Sequence, residues 1–210
     1  DTPLVVDNAN IRDLQHIPDL FRHVLAYGGE FKTKAFRPIQ ELSFALDYHF
    51  WQANPVGYHF SNILFHVLAG LTLYWLIFLL SRKRLVSFCV SAVFLVHPVA
   101  VEVATYVSGR ADSLAFIFMN LCFIFYVLGS GSKGVAPVAL FIASSVSYLL
   151  GILSKEAALA TPAVIMAYEL IVTKEKWAKI LRRVLAVYLV PLVFYFLLHR
   201  SILSVITPGL

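Results

Sequence analysis

The stretch FSNILFHVLAGLTLYWLIFLLSRKR, residues 60–84, decides the fold. From Phe60 to Ser81 it holds no Asp, Glu, Lys or Arg, and then Arg82-Lys83-Arg84 stops it abruptly. At a rise of about 1.5 Å per residue the apolar part is long enough to cross a hydrocarbon core of about 30 Å. The same pattern recurs along the chain. Apolar runs cover 85–106 (broken near its end by His97-Pro98), 112–129, 135–153, 157–173 and 184–206, the last with a kink expected at Pro191. The Gly129-Ser130-Gly131-Ser132-Lys133-Gly134 stretch reads as a flexible connector. Roughly six spans are therefore predicted over 60–210, preceded by a mixed, polar segment over 1–59.

Composition agrees with the run lengths. The chain has 210 residues, 60% hydrophobic and only 14% charged, with a mean hydropathy of +0.78. A soluble domain carries about 25% charged residues, so too little polar surface exists here to cover a water-soluble globule. The predicted class is an all-α polytopic membrane protein. The net charge of +5 does not point to nucleic acid, because the basic residues sit in short loops between apolar runs rather than on a face interleaved with aromatics. Cys89 and Cys122 both lie inside apolar runs and suggest neither a disulfide framework nor a metal site.

Within 1–59, Leu20, Phe21, Val24 and Leu25 fall at helical spacing before Gly28-Gly29, and Ile39, Leu42, Phe44 and Leu46 repeat the pattern over about 38–50. Two short amphipathic helices lying on the membrane surface are expected. Loop charge gives direction. Arg82, Lys83, Arg84, Lys133, Lys174, Lys176, Lys179, Arg182 and Arg183 fall on one side, against Arg110, Lys155 and Arg200 on the other, so the first side is cytoplasmic. Residues 1–59 then face the periplasm or the endoplasmic reticulum lumen. The acids follow them: of twelve, only Glu169 and Glu175 fall elsewhere than the outer segment or the outer helix ends. Charge beside hydrocarbon is costly and tends to mark function, so chemistry is expected on the outer face.

Three constellations stand there. His59, Asn62 and His66, at i, i+3 and i+7, place a polar stripe on one face of the first span, suited either to a site or to hydrogen bonding between helices. His97-Pro98-Val99-Ala100-Val101-Glu102 and Ser108-Gly109-Arg110-Ala111-Asp112 join the second and third spans. Arg110 is suited to forking onto a phosphate; the alternative is a buried Glu102–Arg110 pair holding the loop. Asp112 alone can serve simply by favouring a helix N-terminus. Ser154-Lys155-Glu156 joins the fourth and fifth spans, and Lys155 is a candidate phosphate ligand or a lysine reaching up to the interface. With Asp1 and Arg37, these groups suit an anionic, membrane-embedded substrate such as a lipid phosphate. Cations there stabilise a leaving phosphate, and an acid takes a proton from an attacking hydroxyl.

The ordered set Asp1-x-x-x-Val5-x-x-Asn8, Phe36-Arg37-Pro38, Pro55-Val56-Gly57-Tyr58-His59-x-x-Asn62-x-x-x-His66, His97-Pro98-x-x-x-Glu102, Ser108-Gly109-Arg110-x-Asp112 and Leu153-Ser154-Lys155-Glu156 resembles the transmembrane and tetratricopeptide-repeat O-mannosyltransferases and their bacterial relatives, glycosyltransferases of the GT-C class. The likeness covers nearly the whole chain. It implies a GT-C-like helical bundle with a non-cytoplasmic first loop and a polyprenyl-phosphate-linked sugar donor, typically mannose. It also implies a Ser or Thr hydroxyl of a protein as acceptor and inversion by single displacement. By the match, Asp1 is the second acid of a pair in the first outer loop and the expected base. Glu102 is a second catalytic candidate, and Arg37, His59, Asn62, His66, His97, Arg110, Asp112, Lys155 and Glu156 are donor-binding candidates. The family's first span, the other acid of the pair and its C-terminal repeats are not in these 210 residues, which implies a longer parent. No cofactor is expected; with no Asp-x-Asp motif a metal is disfavoured, though a divalent ion is compatible with the chemistry. The expected partners are the bilayer, the donor and an acceptor protein. The expected location is a bacterial inner membrane, with the endoplasmic reticulum as alternative. Two other classes compete, a transporter or lipid carrier and a non-catalytic membrane scaffold. The transporter reading predicts charges at the bilayer midplane and paired broken helices, whereas here the charges gather at one end.

Overall fold

The computed structural model describes residues 2–25, 35–134, 136–173 and 175–206. The described residues form helices and turns with no strand among them. Five segments are long and apolar enough to cross a membrane, and a sixth is bent. The protein is an all-α polytopic membrane protein.

The amino-terminal segment packs as short pieces. Helix α1 spans Thr2–Val5, α2 spans Ile17–Leu20 and α3 spans Pro38–Trp51. The first amphipathic stretch is thus helical only up to Leu20. Pro18 starts the helix, Phe21 closes it, and the Leu25 amide donates to the Ala35 carbonyl at 2.8 Å, which draws the chain away from a helical path. Its expected end at Gly28-Gly29 lies outside the described residues. The second stretch forms α3 as predicted. Its buried side carries Gln40, Glu41, Ser43 and Asp47 beside Phe44 and Ala45, while Leu46, Phe50 and Trp51 are exposed. It therefore presents polar groups to protein and an apolar edge outward.

Helix α4 (Pro55–Ser81) begins before the apolar run because the Asn54 side chain accepts from the Val56 amide at 3.1 Å and Pro55 is pre-set for the first turn. It ends at Arg82, whose φ of 58° closes the helix with a left-handed residue. Helices α5 (Arg84–Val96) and α6 (Pro98–Thr105) bend by 54° at His97, where Pro98 cannot continue the hydrogen-bond ladder. Helices α7 (Arg110–Gly131) and α8 (Ala136–Ser154) pack along the most extensive contact of the bundle. Small side chains permit this: a Cβ on Gly151 would lie 3.2 Å from Ala158 and 3.5 Å from the Phe118 Cβ, and Ser144 and Ser147 are buried on the same face. The fifth span is a 3-10 turn over Glu156–Ala160, helix α9 (Thr161–Tyr168) and a wider π turn over Glu169–Thr173. Helix α10 (Trp177–Ile206) keeps Pro191 inside one continuous helix.

Two cores result. One, between α7, α8, α9 and α10, contains Tyr126, Tyr148, Ile152, Ile165 and Tyr188. Within it the Ser144 hydroxyl donates to the Cys122 carbonyl at 2.8 Å and contacts the Tyr188 hydroxyl at 2.8 Å. The other lies at one end of the bundle, where Leu4, Ile11, Leu20, Phe44, Tyr58 and Val107 bind the amino-terminal segment to it. That end carries Asp47, Glu102, Asp112 and Glu156 and is called the acidic end below; the basic loops lie at the other.

Candidate active site

The acidic end is assembled around Arg110. Its side chain is fully buried (0% exposed). Its guanidinium meets the Asp47 carboxylate at 2.5 Å and donates from Nε to Asn62 Oδ1 at 2.7 Å. The two Nη groups donate to the Ser43 and Tyr58 carbonyls at 3.2 and 3.1 Å. The cation also sits 4.7 Å above the Phe44 ring. Asp47 accepts in turn from the Ser61 hydroxyl at 2.7 Å, and Asn62 donates to the Tyr106 carbonyl at 2.8 Å. A buried cation is tolerable only when paired and hydrogen-bonded in this way. Arg110 and Asn62 thus tie α3, α4 and the turn before α7 together, and the partner of Arg110 is Asp47, not Glu102. Asp47, Ser61 and Gln40, which donates to the Ser108 carbonyl at 3.0 Å, were not singled out in the sequence. The available signal was that Gln40, Ser43 and Asp47 fall at helical spacing beside Phe44 in α3.

Arg110 and Asp112 are two residues apart on α7 and so point to opposite sides. Asp112 turns into a cleft of about 480 Å³, which Arg37, Glu102 and Lys155 also line, together with Val99, Val103, Tyr106, Ser108 and Gly109. Four of the sequence candidates, from four separate segments, meet there. Arg37 precedes Pro38 and is held by Phe36, a fully buried ring packed 6.5 Å from Tyr195 and 6.3 Å from His199 of α10. It reaches across to Glu156, with Nη2 and Nε donating to Oε2 at 2.8 and 3.2 Å. Lys155 is extended between α8 and the following turn. Its Nζ meets Asp112 Oδ1 at 2.5 Å, and both side chains are part-exposed. Glu102, on α6, is exposed to the cleft. The tight return from α6 into α7 needs Gly109, because a Cβ there would stand 2.1 Å from the Val103 carbonyl oxygen.

Two further cavities adjoin the cleft. Asp112 and Val103 also line an inner chamber of about 190 Å³ with His66, Phe94, Ala100, Ser113 and Phe116. His66 is buried, its Nε2 lies 3.1 Å from the Leu95 carbonyl, and its ring stacks on Phe94 at 5.3 Å. Val99 and Val103 also open onto an apolar groove of about 500 Å³, lined besides by Leu73, Val90, Val93, Phe94, Ala100 and His97. His97 is exposed, and its Nδ1 accepts from the Val99 amide at 3.3 Å, starting α6. His59 is exposed and does not join Asn62 and His66 on the inward face. Asp1 lies outside the described residues. Among the described residues no cluster of three or more His, Cys, Asp or Glu is placed to hold a metal ion.

The chain is similar to several animal proteins that carry one common name. It is 26% identical over 184 residues to the protein O-mannosyl-transferase TMTC3 of Homo sapiens, covering 83% of this chain and 19% of that protein. It is 31% identical over 158 residues to the protein O-mannosyl-transferase TMTC1 of Homo sapiens, covering 70% of this chain and 18% of that protein. With the protein O-mannosyl-transferase Tmtc1 of Drosophila melanogaster it shares 34% identity over 96 residues, 44% of this chain and 11% of that protein. The chain thus spans less than a fifth of the length of these curated relatives. No protein-family model and no solved structure matches it.

Proposed function

We propose that the cleft transfers a sugar, mannose by similarity to the named relatives, from an isoprenoid phosphate in the bilayer to a Ser or Thr hydroxyl of a protein. One observation carries this reading. Arg37, Glu102, Asp112 and Lys155 converge on a cleft that shares Val99 and Val103 of α6 with an adjoining apolar groove. A ligand with a charged phosphate and a long apolar tail fits both at once, the head in the cleft and the tail in the groove. Arg37 and Lys155 hold the phosphate, the one through a planar fork and the other as a point charge. Arg110, enclosed by Asp47, Asn62 and two carbonyls, holds the walls in place rather than the phosphate.

In the transfer, the acceptor hydroxyl oxygen attacks the anomeric carbon from the face opposite the phosphate. The carbon–oxygen bond to phosphate breaks, the sugar inverts, and the hydroxyl proton passes to a carboxylate. Asp1 is the proposed base by its match to the family motif, with Glu102 a second candidate, a cleft carboxylate that is not paired to Lys155 as Asp112 is. The lipid phosphate leaves with its new charge facing the two cations. The proposed side is non-cytoplasmic, a bacterial periplasm or the endoplasmic reticulum lumen, since the basic loops lie at the other end.

The test is transfer of labelled mannose from a polyprenyl phosphate to Ser/Thr peptides by the protein in membranes, compared with Asp1→Asn, Arg37→Met and Lys155→Met at matched expression. Loss of transfer in all three supports the reading. Absence of transfer by the unaltered protein from several donors, or variants that match it, overturns the reading in favour of a transporter or scaffold.

A further inference from the structure

Both cations of the cleft are already paired. Arg37 is held by Glu156 through a fork, its Nη2 and Nε both on one carboxylate, and Glu156 is not part of the cleft lining. Lys155 differs: its partner, Asp112, lines the cleft itself. An anion brought to the Lys155 ammonium therefore meets a second negative charge on the same nitrogen. The two repel at that distance, and the part-exposed Lys155–Asp112 pair is weak enough to yield. Asp112 also has somewhere to go, because it lines the inner chamber beside His66 and Ser113 as well as the cleft.

We propose that Asp112 is a built-in competitor for Lys155, a positioning residue that gives up the ammonium when the lipid phosphate arrives and reclaims it to expel the spent carrier. The inference rests on the function proposed above. The order of charge gives it direction. A sugar-bearing phosphate is a diester with one negative charge, whereas the carrier left after transfer is a monoester that carries close to two. Competition from a carboxylate opposes both, but the more tightly held product sets the pace of release, so Asp112 acts most usefully on the product.

The probe is farnesyl phosphate, an isoprenoid monoester, titrated against the protein in lipid nanodiscs, with the transfer rate measured alongside. Asp112→Asn is expected to bind farnesyl phosphate more tightly, by up to about fivefold. It is also expected to lower both the donor KM and kcat, as product release slows. Lys155→Met is expected to lose most of the binding. If Asp112 merely orients Lys155, Asp112→Asn binds the probe equally or more weakly with an unchanged or higher KM, and the inference fails. Asp112→Ser, smaller and also uncharged, must move binding in the same direction as Asn; opposite shifts also overturn it. If the unaltered protein does not bind farnesyl phosphate at all, the proposed function itself fails, which separates the two claims.

Discussion

Two kinds of ion pair stand a few residues apart at the acidic end, and they differ in burial rather than in chemistry. Arg110–Asp47 is sealed among α3, α4 and α7, with a second ring of hydrogen bonds from Asn62, Ser61 and two carbonyls. Arg37–Glu156 and Lys155–Asp112 are part-exposed, and Arg37, Lys155 and Asp112 line the cleft. In the sealed pair, each partner satisfies a charge that water no longer reaches, so losing one leaves the other stranded. The open pairs exchange partners at small cost. One set fixes shape and the other is available to a ligand.

The largest expected effect breaks the sealed pair. Arg110→Ala or Asp47→Ala is expected to destabilise by about 3–5 kcal/mol, seen as loss of folded protein after detergent extraction. Near-normal yield from either variant would erase the contrast between the two sets. Next, Lys155→Met or Arg37→Met is expected to leave the thermal unfolding midpoint in detergent within a few degrees of the unaltered protein while transfer falls roughly 10²–10³-fold. A stability loss as large as that of Arg110→Ala would place these residues in the sealed set. Gly109→Ala is intermediate. Its Cβ would press on the Val103 carbonyl oxygen, costing about 1–3 kcal/mol and shifting α6, so the unfolding midpoint and transfer are both expected to fall. The smallest effect is expected away from the cleft. Ser144→Ala removes the bonds to Cys122 and Tyr188, costing about 1 kcal/mol with transfer unchanged, which a thermal melt beside an activity assay checks.

Much of this was legible in sequence because hydrocarbon imposes strong rules. The six apolar runs, the break at His97-Pro98 and the gathering of charge at one end all follow from what a bilayer tolerates. Arg37, Glu102, Asp112 and Lys155 were visible as charges beside hydrocarbon. Helix starts were less legible: α4 begins at Pro55 and α10 at Trp177, ahead of their apolar runs, because a cap in one and basic residues in the other extend the helix beyond the membrane core. The partners were not legible. Asp47 meets Arg110 across 63 positions and Glu156 meets Arg37 across 119, and those pairings depend on how helices cross. The stripe of His59, Asn62 and His66 followed helical spacing, yet only Asn62 and His66 are buried; His59 is exposed although Tyr58 beside it is buried, so the packed face of α4 excludes it.

Lys155 and Glu156 are consecutive, yet one faces Asp112 and the other Arg37. Lys155 is a single extended residue between the end of α8 and the 3-10 turn that Glu156 begins, and that one step sends the two side chains to different partners. The turn acts as a divider: it keeps one cation inside the cleft lining and sets the acid that tethers the other cation outside it. An insertion at this turn is expected to disturb both pairs at once.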